Sequence, residues 1–172
     1  MVNPLDPIVQ WHRTANDSLR VTRRVLTQKI GNAVTSRHVF SGMPLAESLA
    51  RLDEAKEELE RLIVLALAAV FERTLRDHLT QIPRTAISTG DSLREAVREE
   101  LVKDIEFWNI SDRVLGVFPT VDPLVRGQVK QVIQYRNWVA HGHMLALPPP
   151  VNLLPQTAYQ WLTGFLVQAG VV

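Results

Sequence analysis

The stretch LIVLALAAVF, residues 62–71, decides the fold, because ten consecutive apolar residues leave a helix with no polar side to present to water. Apolar residues keep helical spacing on both sides of this run. One long central helix is therefore predicted from Pro44 to Gln81, with Pro83 ending it. We expect the run to be covered on every side, with a second subunit supplying part of the cover.

Capping residues, prolines and apolar steps of three and four divide the remaining chain into further helices. The predicted helices are 6–33 with a break near 16–18, 91–108, 111–116, 122–141 and a last helix that begins at 154–155. Loops are expected at 35–42 and 85–90, and an extended segment at the prolines 148–150. No strand pattern of useful length is present. The predicted fold class is all-α, a bundle of about five to six helices in a single domain spanning 1–172.

One apolar side is predicted for the 91–108 helix. It consists of Leu93, Val97, Leu101, Ile105 and Trp108.

Composition excludes several classes of site. The 172 residues include no cysteine, which removes disulfides, thiolate zinc sites and cysteine nucleophiles. Neither a glycine-rich phosphate loop nor metal-ligand spacing is present, so no metal and no cofactor are expected. The N-terminal residues lack the basic-then-apolar order of a signal peptide, and a ten-residue apolar run is shorter than the roughly 20 residues of a membrane span. A cytoplasmic protein away from membranes is the expectation.

Charge is distributed unevenly although the net charge is only +1. Residues 1–40 carry six Lys/Arg against two acids, 41–113 carry ten against fifteen, and 114–172 carry three against one. If the two positive ends meet, they form a local surface that attracts phosphate. The alternative is that these charges only solvate exposed helix faces.

The stretch YRNWVAHG, residues 135–142, concentrates polar chemistry near the end of the 122–141 helix. At 100° per residue, Arg136, Asn137, Ala140 and His141 form one continuous strip, called here the polar strip. The valines of the same helix lie beside the strip as a packing side. Small Ala140 leaves room for a ligand such as a phosphate, and Gly142 fits the position just past the helix end.

The six residues Arg136-Asn137-Trp138-Val139-Ala140-His141 resemble the signature of HEPN domains, an Arg-x4-His pattern with a polar residue directly after the arginine. A second resemblance is Ala69-Val70-Phe71-Glu72, which is similar to an apolar-Phe-Glu element on an earlier long helix in several HEPN groups. HEPN domains are all-helical, and many are metal-independent ribonucleases. Some are toxins paired with nucleotidyltransferase-like antitoxins, and others are non-catalytic modules.

The resemblance implies RNA as the substrate, because the ribose 2′-OH attacks the adjacent phosphate in this chemistry. His141 is expected to act as general acid or base, Arg136 to stabilise charge on the phosphate, and Asn137 to orient His141 or the phosphate. One chain supplies one histidine of this kind, so a two-fold homodimer that pairs two motif helices is expected to supply the second. An antitoxin or nucleotidyltransferase-like partner is expected if the protein is a toxin.

Each motif residue also has a purely structural interpretation. His141 can cap the helix end, where an imidazolium is favoured by the helix dipole. Arg136 can form an ion pair with Glu72, which can equally pair with Arg76 four residues later. A guanidinium fixed by a carboxylate is also better placed to hold phosphate, so Glu72 is a candidate supporting residue.

Other candidates are weaker. His143 would return to the face of Arg136 if the helix passed Gly142, so it is kept as a supporting residue behind His141. Tyr135 is expected to pack, although its hydroxyl at the edge of the strip can reach a ligand. Three further histidines have no partner pattern and default to structural roles: His12, His38 and His78.

Two functions therefore follow from the sequence. The first is a metal-independent HEPN-type endoribonuclease. The second is a non-catalytic helical module that uses the same groove to bind a partner protein or a nucleotide, and the weak overall basicity favours it.

Overall fold

Helix α2, Leu45–Ala86, is the element on which the other helices pack. Its 42 residues span about 63 Å at 1.5 Å per residue. The computed structural model describes residues 2–28, 39–86, 92–141 and 152–172. The other helices that pack on α2 are α1 (Asp6–Gln28), α3 (Ser92–Phe107), α4 (Pro123–Ala140) and α5 (Pro155–Gln168). These described ranges contain helices and turns without strands, which confirms the all-α bundle with a long central helix.

The core is centred on an aromatic cluster where α2 meets α5. Phe71 packs edge-on against Phe165 with ring centroids 5.5 Å apart, and Phe165 packs edge-on against Phe118 at 5.6 Å. All three are buried. Edge-to-face pairs of this kind add to the stabilisation that comes from the buried area itself, so this cluster fixes α2, α5 and the segment before α4 relative to one another.

The N-terminus of α1 is attached to α5. Leu5 is fully buried in the core, and Asn3 donates a hydrogen bond to the Thr163 hydroxyl at 2.9 Å. Tyr159 donates to the Asp6 carboxylate at 2.7 Å. Asp6 was predicted to cap α1, but its carboxylate accepts a hydrogen bond from α5. The side chain that accepts a backbone N–H at this end of α1 is that of Asn3, which bonds to the Leu5 N–H at 3.0 Å.

The apolar run 62–71 is buried on one side of α2 and uncovered on the other. Ile63, Val64, Leu67 and Phe71 are in the core, whereas 46% of Leu62 is exposed. Ala69 is exposed as well. The expectation of cover on every side is therefore not met within one chain, because α1, α4 and α5 leave one side of the run open.

Helix α2 continues past Pro83 to Ala86, so the prediction that Pro83 ends it is wrong. Proline has a fixed φ close to the helical value, and what it removes is a single N–H donor. This loss falls in the last turn of the helix, where the chain tolerates it.

The short helix predicted at 111–116 begins earlier and is irregular. Ile110–Val114 forms a π-helical turn and Leu115–Val117 a 3-10 turn. The cap is Asn109, whose side chain accepts the Asp112 N–H at 3.1 Å, rather than Ser111. A hydrogen-bonding side chain one residue earlier thus sets where the turn begins.

Helix α1 is continuous through residues 16–18, where a break was predicted. The side chains there bond within the helix instead of competing with it. Asn16 bonds to His12 at 2.8 Å, Asp17 pairs with Arg20 at 3.4 Å, and Ser18 donates to the Thr14 carbonyl at 2.9 Å.

The apolar side predicted for α3 is only partly buried. Ile105 lies in the core, but Val97 and Leu101 are exposed. Helix α3 therefore packs through its C-terminal end. Among the described residues, no helix combines the length and apolar character needed to cross a membrane. The predictions for 35–38, 87–90 and 148–150 lie outside the described residues.

Phe71→Ala should lower the free energy of unfolding by about 3–5 kcal/mol, because it opens a cavity at the centre of the aromatic cluster. Chemical denaturation measures the effect. Phe107→Ala is the control, since 86% of Phe107 is exposed and its loss should change stability by no more than about 0.5 kcal/mol. Equal effects of the two changes would contradict the position given to Phe71.

Candidate functional site

The polar strip lies at the C-terminal end of helix α4. The start of the helix is as predicted, with the Asp122 carboxylate accepting the Leu124 N–H at 2.6 Å and Pro123 in the first turn. The helix ends at Ala140, and the His141 backbone N–H donates to the Asn137 carbonyl at 3.0 Å. His141 is thus the cap residue. Gly142, predicted to follow the helix end, lies outside the described residues.

Arg136 is fixed by two neighbours. Its Nη2 donates to the Glu72 carboxylate on α2, and its Nη1 donates to Asn137 Oδ1 at 3.1 Å. About a quarter of the Arg136 side chain is exposed. The predicted ion pair with Glu72 is confirmed. Asn137 therefore orients the arginine, a contact that differs from the two roles predicted for it, which were to orient His141 or the phosphate.

Glu72 also binds the second partner considered for it. Its Oε1 accepts from Arg76 Nε at 3.3 Å and from Nη2 at 2.8 Å, while Oε2 accepts from Arg136. One carboxylate thus links a guanidinium on its own helix to one on α4. Both arginines keep their orientation because the carboxylate between them is bonded on each oxygen.

Arg76 extends this network to α3. Its Nη1 donates to the Ile105 carbonyl at 2.5 Å and the Glu106 carbonyl at 3.0 Å, and Nη2 donates to the Trp108 carbonyl at 2.8 Å. The last carbonyls of a helix have no partner within it and favour a cation. Arg76 supplies both the donors and the charge, so the end of α3 is fixed to the same carboxylate network as Arg136.

A cleft of about 770 Å³ opens beside this network, between α2, α3 and α4. Its apolar lining consists of Leu65, Ala69, Val102 and Ala140. Its polar and charged lining consists of Glu72, Arg73, Arg76, Asp77, Thr80, Gln81, Glu106 and Arg136. The three arginines are matched by three carboxylates, so the cleft as a whole is close to electrically neutral.

The predicted site residues separate into two groups. Arg136 and Ala140 line the cleft together with Glu72. His141 is exposed at the helix end, one residue past Ala140, and is not part of the cleft lining. Asn137 is half-buried and reaches the cleft through its bond to Arg136.

Tyr135 is not part of the cleft lining. Tyr135 is buried against Trp138, with ring centroids 5.8 Å apart, and burial raises the pKa of its hydroxyl. Its position agrees with the packing role. His143 lies outside the described residues.

The remaining histidines have structural neighbours. His12 bonds to Asn16 at 2.8 Å on α1; burial lowers its pKa, and the nearby charge of Glu60 opposes this shift. His78 lies 6.2 Å from the Phe118 ring between centroids. His38 falls outside the described residues. Within the described ranges, no group of three His, Asp or Glu side chains is arranged to hold a metal ion.

Sequence reasoning missed Arg73, Asp77 and the contacts of Arg76 with α3. Residues 72, 73, 76, 77 and 80 follow the apolar run at helical spacing, and this signal marks one polar face of α2. That face meets the cleft. The contacts to α3 have no comparable signal, because they join residues about 30 positions apart.

No family model matches this sequence, and comparisons with curated proteins and with solved structures find no match. Arguments about function therefore rest on the polar strip, the Glu72 network and the cleft.

Arg76→Ala should lower the free energy of unfolding by about 2–3 kcal/mol, because it removes charge-assisted bonds to Glu72 and to the carbonyls at the end of α3. Arg73→Ala is the control on the same helix, since 84% of that side chain is exposed and only a 3.7 Å ion pair to Asp77 holds it. It should cost no more than about 0.5 kcal/mol. Denaturant titration separates the two, and equal losses would show that Arg76 does not fix α3.

Proposed function

We propose that the protein is a metal-independent endoribonuclease of the HEPN type. The observation that carries this proposal is the position of Arg136, which Glu72 and Asn137 hold at the edge of a cleft, on the same helix as exposed His141. A preorganised guanidinium next to a group that exchanges protons is the arrangement that phosphate transfer requires.

The reaction is transfer of the phosphate to a neighbouring ribose oxygen. The ribose 2′-OH attacks the phosphorus, the bond to the 5′-oxygen of the next nucleotide breaks, and a 2′,3′-cyclic phosphate and a 5′-OH result. His141 takes the proton from the 2′-OH or gives one to the leaving oxygen, since imidazole exchanges protons near neutral pH. DNA lacks the attacking hydroxyl, so RNA is the substrate.

Arg136 stabilises the negative charge that increases on the phosphate oxygens during attack. Its two known contacts leave further N–H donors of the guanidinium for the phosphate. Glu72 and Asn137 act as positioning residues, because they restrict the arginine before the substrate arrives.

A complete site needs an acid and a base, and one chain has one His141. We therefore include a two-fold homodimer in the proposal, with the motif helices of two copies facing each other. The uncovered apolar side of the run 62–71 supports it, because Leu62 and Ala69 are exposed on the helix that carries Glu72.

A toxin of this type would also bind a nucleotidyltransferase-like antitoxin. Co-purification of the two proteins tests this partner.

A second candidate is a non-catalytic module that binds a partner protein or nucleotide in the cleft. The observation that favours it is the balance of three arginines and three carboxylates in the cleft lining, together with the position of His141 outside it. Such a module needs the cleft and the Glu72 network but no proton transfer.

His141→Ala should abolish cleavage of mixed RNA in the presence of chelator, with a loss of at least ~10²–10⁴-fold. Arg136→Lys should also lower the rate severely, since lysine keeps the charge but lacks the planar two-pronged donor. Arg126→Lys on the same helix is the matched control, because its Nη2 bonds to the Val121 carbonyl, away from the cleft, and its rate should match the wild type. Cleavage by His141→Ala at the wild-type rate would favour the binding module.

Leu62→Lys should convert the dimer to monomers and stop cleavage together, because it places a charge in the proposed apolar interface. Sedimentation of the full chain at micromolar concentrations measures the change in oligomeric state. Leu124→Lys, at an exposed position near the start of α4, should leave both properties unchanged. A wild-type protein that sediments as an active monomer would remove the dimer from the proposal.

A further inference from the structure

The cleft has an apolar surface next to Arg136. Ala140 lies one turn after Arg136 on α4, and Leu65, Ala69 and Val102 complete this surface from α2 and α3. A volume of about 770 Å³ falls within the range of sites for small organic ligands. An uncharged planar group fits such a surface, whereas a phosphate does not.

Several charged groups around this surface are already bound to other residues. Glu72 accepts from two arginines, and Arg76 donates to Glu72 and to three carbonyls. The exceptions within the described chain are the Glu106 carboxylate, on α3, and two side chains on α2, Arg73 and Asp77, whose charged atoms are 3.7 Å apart and form no close hydrogen bond. These two side chains are therefore available to a ligand.

The Asp77 carboxylate determines what can bind in the part of the cleft beside it. An ionised carboxylate only accepts hydrogen bonds, so its ligand must bring a donor. In nucleic-acid recognition, Asp and Glu accept from the exocyclic amino group of a base. Arg73, one turn earlier, is free to hold the other phosphate of the same nucleotide, the one that is not cut, which leaves Asp77 for the base.

We propose that the cleft is a nucleobase subsite for the nucleotide beside the scissile phosphate, and that Asp77 selects bases with an exocyclic amino group over uracil. The inference rests on the proposed ribonuclease, since it takes Arg136 as the position of the phosphate. Cytosine and uracil test it best, because cytosine carries an amino donor at position 4 where uracil carries a carbonyl oxygen. Uracil can offer a carboxylate only its N3–H, and equal binding through that donor would contradict the selection.

The experiment measures binding without cleavage. Oligocytidylate and oligouridylate that carry 2′-O-methyl groups cannot be cut by 2′-OH attack, and fluorescence anisotropy gives their affinities for the full chain. Wild-type protein should bind oligocytidylate about tenfold more tightly, the factor that one hydrogen bond to a charged group contributes. Asp77→Asn should make the two affinities similar, because an amide both donates and accepts.

Asp17→Asn is the matched control. The Asp17 side chain is 71% exposed, against 70% for Asp77, and it pairs with an arginine on its own helix, but it lies on α1 away from the cleft. It should keep the preference for cytosine. Equal binding of both oligomers by the wild type, or an unchanged preference in Asp77→Asn, would overturn the subsite.

The outcomes also separate this inference from the proposed activity. A wild-type protein that prefers oligocytidylate but cleaves no RNA would overturn the ribonuclease and keep the base subsite of a binding module. Cleavage with no difference between cytosine and uracil in either assay would keep the ribonuclease and overturn the subsite.

Discussion

The carboxylate of Glu72 joins three helices at one point. Each of its oxygens accepts from a different arginine, and one of those arginines also binds the end of α3. About a fifth of the Glu72 side chain is exposed, so water competes only weakly for these bonds. Loss of the carboxylate would leave two partly buried guanidiniums without their counter-charge, which costs more than the loss of a surface ion pair.

This constraint relates the fold to the proposed site. The buried side of the run 62–71 holds α2 in the core, and Glu72 follows that run directly, on the face that meets α4. The apolar core therefore fixes the position of a carboxylate, and the carboxylate fixes Arg136. At the end of α4, the His141 backbone N–H donates to helix carbonyls, and its side chain is exposed.

Much of this arrangement was predictable from local sequence. Asp122-Pro123 and Leu154-Pro155 mark the starts of α4 and α5, because capping and proline geometry act over a few residues. The pair between Arg136 and Glu72 followed from a resemblance and from complementary charge. The bonds from Arg76 to α3 could not be predicted from the sequence. The packing of helices that are distant in sequence decides which carbonyls lie near a guanidinium. The same reason explains why an apolar side read from the sequence of α3 does not tell how much of it is buried, since Val97 and Leu101 are exposed.

A double-mutant cycle on Glu72 and Arg136 tests the central claim most directly. The free energy of unfolding is measured for the wild type, Glu72→Ala, Arg136→Ala and the double variant. If the carboxylate holds the arginine, the double variant should lose less stability than the sum of the single variants, by about 1–3 kcal/mol. Losses that add to within about 0.5 kcal/mol would show that the two residues act independently and would contradict the account.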